Sequence, residues 1–325
     1  LEPADGSSYN TAVGSQAGIY VTTGLRNTLI GGLAGDAITT GTNNIALGYS
    51  SISSNTTSSN NVAVGNLALN TFNITTGGDG YNVAVGTSAG AAVTTGVENT
   101  LIGGLSGDAL TDADFNTAVG YSALTADTLG SRSVAVGTAA LQAQNFTTAT
   151  DNYNTAVGFS AGKAVTTGLR NTLIGGLAGD ALTDADYNTV LGMNALTLDT
   201  LGSRSTAIGY QSLANQNFTT ATNSYNVGVG YNSGANVTTG TLNTLIGGLA
   251  GDAITDGADN VAVGYNSLGA DTRGSKSTAL GKEALKVQNQ TTSVSTYNVA
   301  VGFKAGVAVT TGLQNTFVGG QAGSS

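Results

Sequence analysis

The chain has 325 residues, a formal net charge of −9, only 9% charged residues against 40% apolar ones, and no His or Cys. That composition excludes a Ser-His or Cys-His nucleophile, a His/Cys metal or haem centre and any disulfide. Ten Lys and Arg spread along an acidic chain form no basic stripe for nucleic acid, and no apolar run reaches the roughly 20 residues of a membrane helix.

Residues 1–8 read as a leader segment, and residues 9–325 as one β-roll repeat domain. Within that domain the phrase Asn-Thr-Ala-Val-Gly recurs, and its last Gly marks eighteen copies. These anchors are Gly14, Gly31, Gly48, Gly65, Gly86, Gly103, Gly120, Gly137, Gly158, Gly175, Gly192, Gly209, Gly230, Gly247, Gly264, Gly281, Gly302 and Gly319. The step from each anchor to the next runs 17, 17, 17, 21, and the cycle then repeats. Four coils therefore make a 72-residue superrepeat, present in four and a half copies.

Each copy predicts a five-residue strand ending at its anchor. The position before the anchor holds Val, Ile or Leu, and three before it holds Thr, Val or Ile. Four before is Asn, or Ser at Ser133, Ser205 and Ser277. Two before is usually Ala, with Leu29, Leu101, Leu173 and Leu245 in the second coils and Phe317 last. β-branched residues at alternate positions mark one strand face, which is expected to point inward. Gly and Asn near the strand ends supply the φ > 0 of tight corners. A fixed period implies that each coil stacks on the next, Asn on Asn and Val on Val. The fold class is all-β, a parallel β-solenoid.

The four coils of a superrepeat differ beyond the anchor. First coils continue as in Ala161-Gly162-Lys163-Ala164-Val165-Thr166-Thr167-Gly168, and second coils as in Gly179-Asp180-Ala181-Leu182-Thr183-Asp184. Third coils place Tyr49, Tyr121, Met193 or Tyr265 after the anchor. Fourth coils carry the four extra residues, so residues 70–80, 142–152, 214–224 and 286–296 are expected to bulge as mobile loops. At about 4.8 Å per coil the stack would form a rod on the order of 85 Å, against about 40 Å for a globule. The other strand face, with Ala12, Ala63, Ala84, Ala118, Ala135 and Ala156, is small and uncharged. It is expected to pack against neighbouring chains about a threefold axis.

Asn82-Val83-Ala84-Val85-Gly86-Thr87-Ser88-Ala89 and Ser133-Val134-Ala135-Val136-Gly137-Thr138-Ala139-Ala140 resemble the head repeats of YadA-type trimeric autotransporter adhesins. The Asn-Thr-Ala-Val-Gly copies also resemble the arrays of phage tail fibres. The resemblance covers residues 9–323. It implies a left-handed β-roll, a homotrimer, and an extracellular place on a virion tail fibre or a cell surface. It also implies attachment to a host-cell surface glycan or protein receptor. The coils here are longer than the usual adhesin head coil, which implies longer outer turns.

No residues are assigned as catalytic, cofactor-binding or metal-binding, and the chain reads as non-enzymatic. Asp108, Asp112, Asp114 and Asn116, with their repeat Asp180, Asp184, Asp186 and Asn188, have a spacing like a calcium loop. They lack its Gly and terminal Glu, and Thr39, Thr40 and Thr42 replace the acids in the first superrepeat, so polar turns are expected. Asn73, Asn145, Asn217 and Asn289 open Asn-x-Thr triplets, one per superrepeat, readable as glycosylation sites or as polar turns. Tyr121, Phe159, Tyr210, Tyr231, Tyr265 and Phe303 follow anchors and would suit sugar stacking, an end cover or a subunit interface. Asp127 with Arg132, and Asp199 with Arg204, read as surface pairs.

The leading functional reading is a trimeric structural or adhesive fibre segment. One alternative is a filament assembled end to end. Another is an ice-binding solenoid, set aside because the Thr column is expected to face inward and Thr22-Thr23 pairs recur only in first coils.

Overall fold

The computed structural model describes residues 8–325, so the expected leader segment lies outside it except for Ser8. The chain divides into two compact units, Leu1–Ser160 and Ala161–Ser325. In the first unit, Thr11–Val13, Thr28–Ile30, Ile45–Leu47, Val62–Val64, Val83–Val85, Thr100–Ile102, Thr117–Val119, Val134–Val136 and Thr155–Val157 pair in that order, all parallel. In the second, Thr172–Ile174, Thr189–Leu191, Thr206–Ile208, Val227–Val229, Thr244–Ile246, Val261–Val263, Thr278–Leu280, Val299–Val301 and Thr316–Val318 do the same. Each unit is thus an all-β parallel solenoid of nine turns, and the described residues contain no helix.

The register follows the sequence columns, with Val83 opposite Thr100, Ala84 opposite Leu101 and Val85 opposite Ile102. The strands are three residues long rather than five, because the anchor breaks them. At Gly120 the backbone has φ +138°, and a Cβ there would lie 2.5 Å from the Gly137 carbonyl oxygen. A side chain at that column would therefore separate the coils.

The expected facing of the strand is reversed. The middle residue points inward: Ala63, Ala84, Leu101, Ala118 and Ala135 are fully buried. The flanking Thr and Val residues point outward and are half-buried. The Ala/Leu face is the chain's own core, so it is not available to pack against a neighbouring chain. The error came from equating β-branched with buried. The inward column holds Ala, Leu and, at Val190, a fully buried β-branched residue, so β-branching serves the strand conformation on either face.

The interior keeps a four-coil volume code. Second coils combine Leu two before the anchor with Gly four after it. A Cβ at Gly107 would stand 2.8 Å from both Leu101 and Leu110. Third and fourth coils reverse the pair, as Ala118 with Leu124 and Ala135 with Leu141, all fully buried. First coils are small at both places, and the space above Gly90 is taken by Leu101 and Leu69 from adjacent coils. Seven residues after the anchor, the second superrepeat runs Val93, Leu110, Asp127, Gln144, all buried. Each buried volume is thus shared between stacked coils, which close packing requires.

Corners at non-Gly residues adopt left-handed backbone, for example Leu105 (φ 56°) and Phe115 (φ 61°). Their amides donate to the previous coil, at 3.0 Å to the Thr87 carbonyl and 3.1 Å to the Val97 carbonyl. The stacking bond holds a conformation that the residue type alone disfavours. The extra residues of fourth coils form loops tied at both ends. Gly130–Ser131 bridges Thr150–Asp151 in parallel, and Phe146 is buried between. The tip of that loop, Thr147, Thr148 and Ala149, is exposed.

Candidate interaction surface

Three columns make up the outward face of the strand sheet in each unit. The first two are the positions three and one before the anchor, which hold only Thr, Val, Ile and Leu. Ile102, Leu191 and Ile246 on this face are 38%, 46% and 37% exposed, a large fraction for aliphatic residues without a charged neighbour in either column. The third column follows the anchor and carries the aromatic residues. Tyr121, Phe159, Tyr210, Tyr231, Tyr265 and Phe303 are all exposed, as are Tyr49 and Met193. Tyr210 and Tyr231 stack with centroids 5.7 Å apart. The Tyr121 ring lies back over Gly104, whose missing side chain gives it room. The aromatics therefore extend the apolar sheet face, which makes it a candidate interaction surface.

A second exposed column, five residues before the anchor, interleaves rings with cations. The Arg132 guanidinium sits 4.7 Å from the Phe115 centroid and 5.9 Å from Tyr153, and Arg204 sits 4.8 Å from Tyr187 and 5.9 Å from Tyr225.

Beneath the surface runs the expected Asn-on-Asn ladder. The Asn44 amide N–H donates to Asn27 Oδ1 at 3.0 Å, and the Asn61 amide to Asn44 Oδ1 at 3.1 Å. Asn27 Nδ2 donates to the Gly41 carbonyl at 2.9 Å. Each buried side chain thus joins consecutive coils and closes its own turn.

The expected surface pairs of Asp127 and Asp199 do not exist, because both carboxylates are fully buried. Arg132 pairs instead with Asp151 at 3.0 Å, and Arg204 donates to Asn223 Oδ1 at 3.0 Å. Asp127 Oδ1 accepts the Gly130 and Phe146 amides at 3.1 and 3.0 Å, and its Oδ2 accepts Gln144 Nε2 at 2.6 Å. Gln144 Nε2 also donates to Ser133 Oγ at 2.8 Å, while its Oε1 accepts from Asn154 at 2.9 Å. The same cluster recurs at Asp199, Gln216 and Ser205, and at Asp271, Gln288 and Ser277. Burial raises the Asp199 carboxyl above its ordinary range, against the amide donors that lower it. The sequence signal was there: Ser replaces Asn in the ladder only where Asp and Gln occupy the interior.

The acidic turns are taken up singly rather than converging. Asp108 accepts the Thr125 hydroxyl, Asp112 accepts the Thr95 hydroxyl at 2.6 Å, and Asp114 accepts the Val97 amide at 2.8 Å. Asn116 belongs to the ladder. Asp180, Asp184 and Asp186 repeat these roles with Thr197, Thr167 and Leu169, and Asn188 again joins the ladder. No group of three metal-ligating side chains occurs among the described residues. The Asn-x-Thr triplets are built into the stack: Asn73 Oδ1 accepts the Thr56 amide and hydroxyl, and Asn145 Oδ1 accepts the Thr128 hydroxyl at 3.1 Å. Eight residues after the anchor, Thr fills the first three coils of every full superrepeat, wider than the Thr22-Thr23 pairs suggest. Its hydroxyl caps the next coil, as Thr39 does on the Thr56 carbonyl at 3.0 Å.

No protein-family model matches the chain, and no curated protein matches it either.

Proposed function

We propose that the protein is a structural and adhesive fibre segment that self-associates, three copies together, through the outward sheet face. The observation that carries this reading is the pair of uncharged Thr/Val/Ile/Leu columns, with the exposed aromatic column left at the rim of the contact. A surface that repeats at every coil is best matched by one with the same period, and another copy of the chain supplies it. The count of three, the left-handed winding and the extracellular place on a tail fibre or cell surface follow from the likeness to adhesin head and tail-fibre repeats. Among the described residues no exposed polar triad suggests chemistry, and the polar atoms of the buried Gln144 are taken up by Asp127, Ser133 and Asn154.

Native mass measurement tests the reading. A species of three times the 31.9 kDa chain is expected. Val136→Lys with Ile208→Lys, which place charges on the outward face, should lower that mass while leaving the β-sheet circular dichroism in place. A stable wild-type monomer would sink the proposal, and an open series of larger masses would favour the end-to-end filament. The outward Thr removes one objection to ice binding. Ile45, Val62, Val83 and Val134 interrupt that column in the first unit, and exposed Tyr49 and Tyr121 stand beside it. Thermal hysteresis is therefore expected to be absent.

A further inference from the structure

In a repeat protein each column serves as an internal control. A residue the solenoid needs recurs down its column, whereas one that departs from its column answers to something else. In the second unit four departures fall together. Lys282 stands where earlier fourth coils have Asn66, Thr138 and Tyr210. Glu283 replaces Leu67, Ala139 and Gln211, and Lys286 replaces Asn70, Gln142 and Ala214. In the next coil Lys304 replaces Gln16, Ser88, Ser160 and Asn232.

Stacking brings the four side chains to one spot. Lys282, Lys286 and Lys304 place their Nζ atoms 4.0, 3.7 and 3.7 Å from the Glu283 carboxylate. Three ammonium groups against one carboxylate leave two positive charges uncompensated, in a chain whose net charge is −9. Stability does not explain the group, since exposed ion pairs contribute about 0–1 kcal/mol and the lysines repel one another. Lys282 is 55% exposed and Lys286 and Lys304 are 38% exposed, so all three can reach a ligand. Two exposed rings flank them in the column after the anchor. Lys282 Nζ lies 5.9 Å from the Tyr265 centroid, and Lys304 Nζ 5.4 Å from that of Phe303.

We propose that Lys282, Lys286 and Lys304, with Tyr265 and Phe303, form a binding site for an acidic carbohydrate. The ammonium groups take its anionic substituents, and the rings take the apolar faces of its sugars. Glu283 gathers the lysines and sets an upper limit on how tightly an anion is held. The site rests on the attachment reading above and gives it a place and a ligand class.

The test is retention of the full chain, at low salt, on immobilised polyuronate, dextran sulfate, phosphorylated mannan and neutral dextran. Wild type should bind at least one anionic polymer and not the neutral one, and which polymer it binds identifies the anion. The variant Lys282→Thr, Lys286→Gln, Lys304→Ser carries the residues that this chain has at Thr138, Gln142 and Ser160. It should bind about tenfold or more weakly, through loss of charge-assisted contacts. Glu283→Gln, which borrows Gln211, should bind more tightly. No retention of wild type on any anionic polymer, equal retention of the lysine variant, or unchanged or weaker binding by Glu283→Gln would each overturn the site. Native mass is recorded for every variant, so a failure of self-association is distinguished from a failure of binding.

Discussion

Two stretches of the first unit solve the same packing problem with opposite chemistry. At the third and fourth coils of the first superrepeat the interior holds Asn55 and Phe72, with Asn61 in the ladder. At the same places in the second superrepeat it holds Asp127 and Gln144, with Ser133 in the ladder. In the first set the Phe72 ring fills the space, Asn55 closes its own turn on Ser58, and Asn61 continues the Asn-on-Asn bonds. In the second an amide occupies the ring's place, and every polar atom of Gln144 is matched by Asp127, Ser133 or Asn154. The lesson is that a solenoid interior accepts a polar cluster when the whole set changes together. A half-changed set leaves a buried group without its partner.

Breaking either set tests that lesson. Phe72→Ala, which removes the largest fully buried side chain, should cost about 3–5 kcal/mol in a denaturant titration. A loss under about 1 kcal/mol would mean that the ring is not the keystone of its coil. Gln144→Phe by itself strips the Asp127 carboxylate and Asn154 of a partner and should cost about 1.5–3 kcal/mol. Adding Asp127→Asn and Ser133→Asn, to copy the first superrepeat, should recover most of that loss. Simple additivity of the three changes would argue against a coupled set.

The smallest effect concerns pH. Burial raises the Asp199 carboxyl in the folded chain above its unfolded value near 3.8. Between those two values the folded state binds the extra proton, so this group adds stability as pH falls toward 3.8 and loses it as pH rises. The melting temperature of wild type should therefore rise relative to that of Asp199→Asn as pH drops from neutral toward that value. Parallel melting curves at all pH values would show that the cluster does not titrate.

Much of this architecture was legible in the sequence. The anchors, the register, the absence of helix from the described residues and the Asn ladder all followed from column identity, because identical residues at fixed spacing can stack only one way. Which face points inward did not follow, since alternation fixes two faces without naming them. The stacked coils decide it: Ala63 and Ala84 are buried while Val62 and Val83 stand half-exposed, although Val190 shows that the inward column accepts a β-branched residue too. The pairs expected for Asp127 and Asp199 failed for a related reason. Arg132 and Arg204 are close in sequence, but their corners turn them outward while the carboxylates turn in. Lys282, Lys286 and Lys304 were lost among residues that differ between copies, and only stacking shows that their differences coincide.

The four-coil volume code also governs how such a gene can change length. Mispairing between copies during replication or recombination adds or deletes whole repeats. A slip of one full superrepeat among the second to fourth returns every interior Leu, Gly, Asp and Gln to its place in the cycle. A slip of a single coil preserves the strand columns but sets the large interior residues of one coil against those of another, or leaves the space at a Gly such as Gly90 unfilled. A chain lengthened or shortened by four coils is therefore expected to keep its interior packing, whereas one changed by a single coil is expected to lose it.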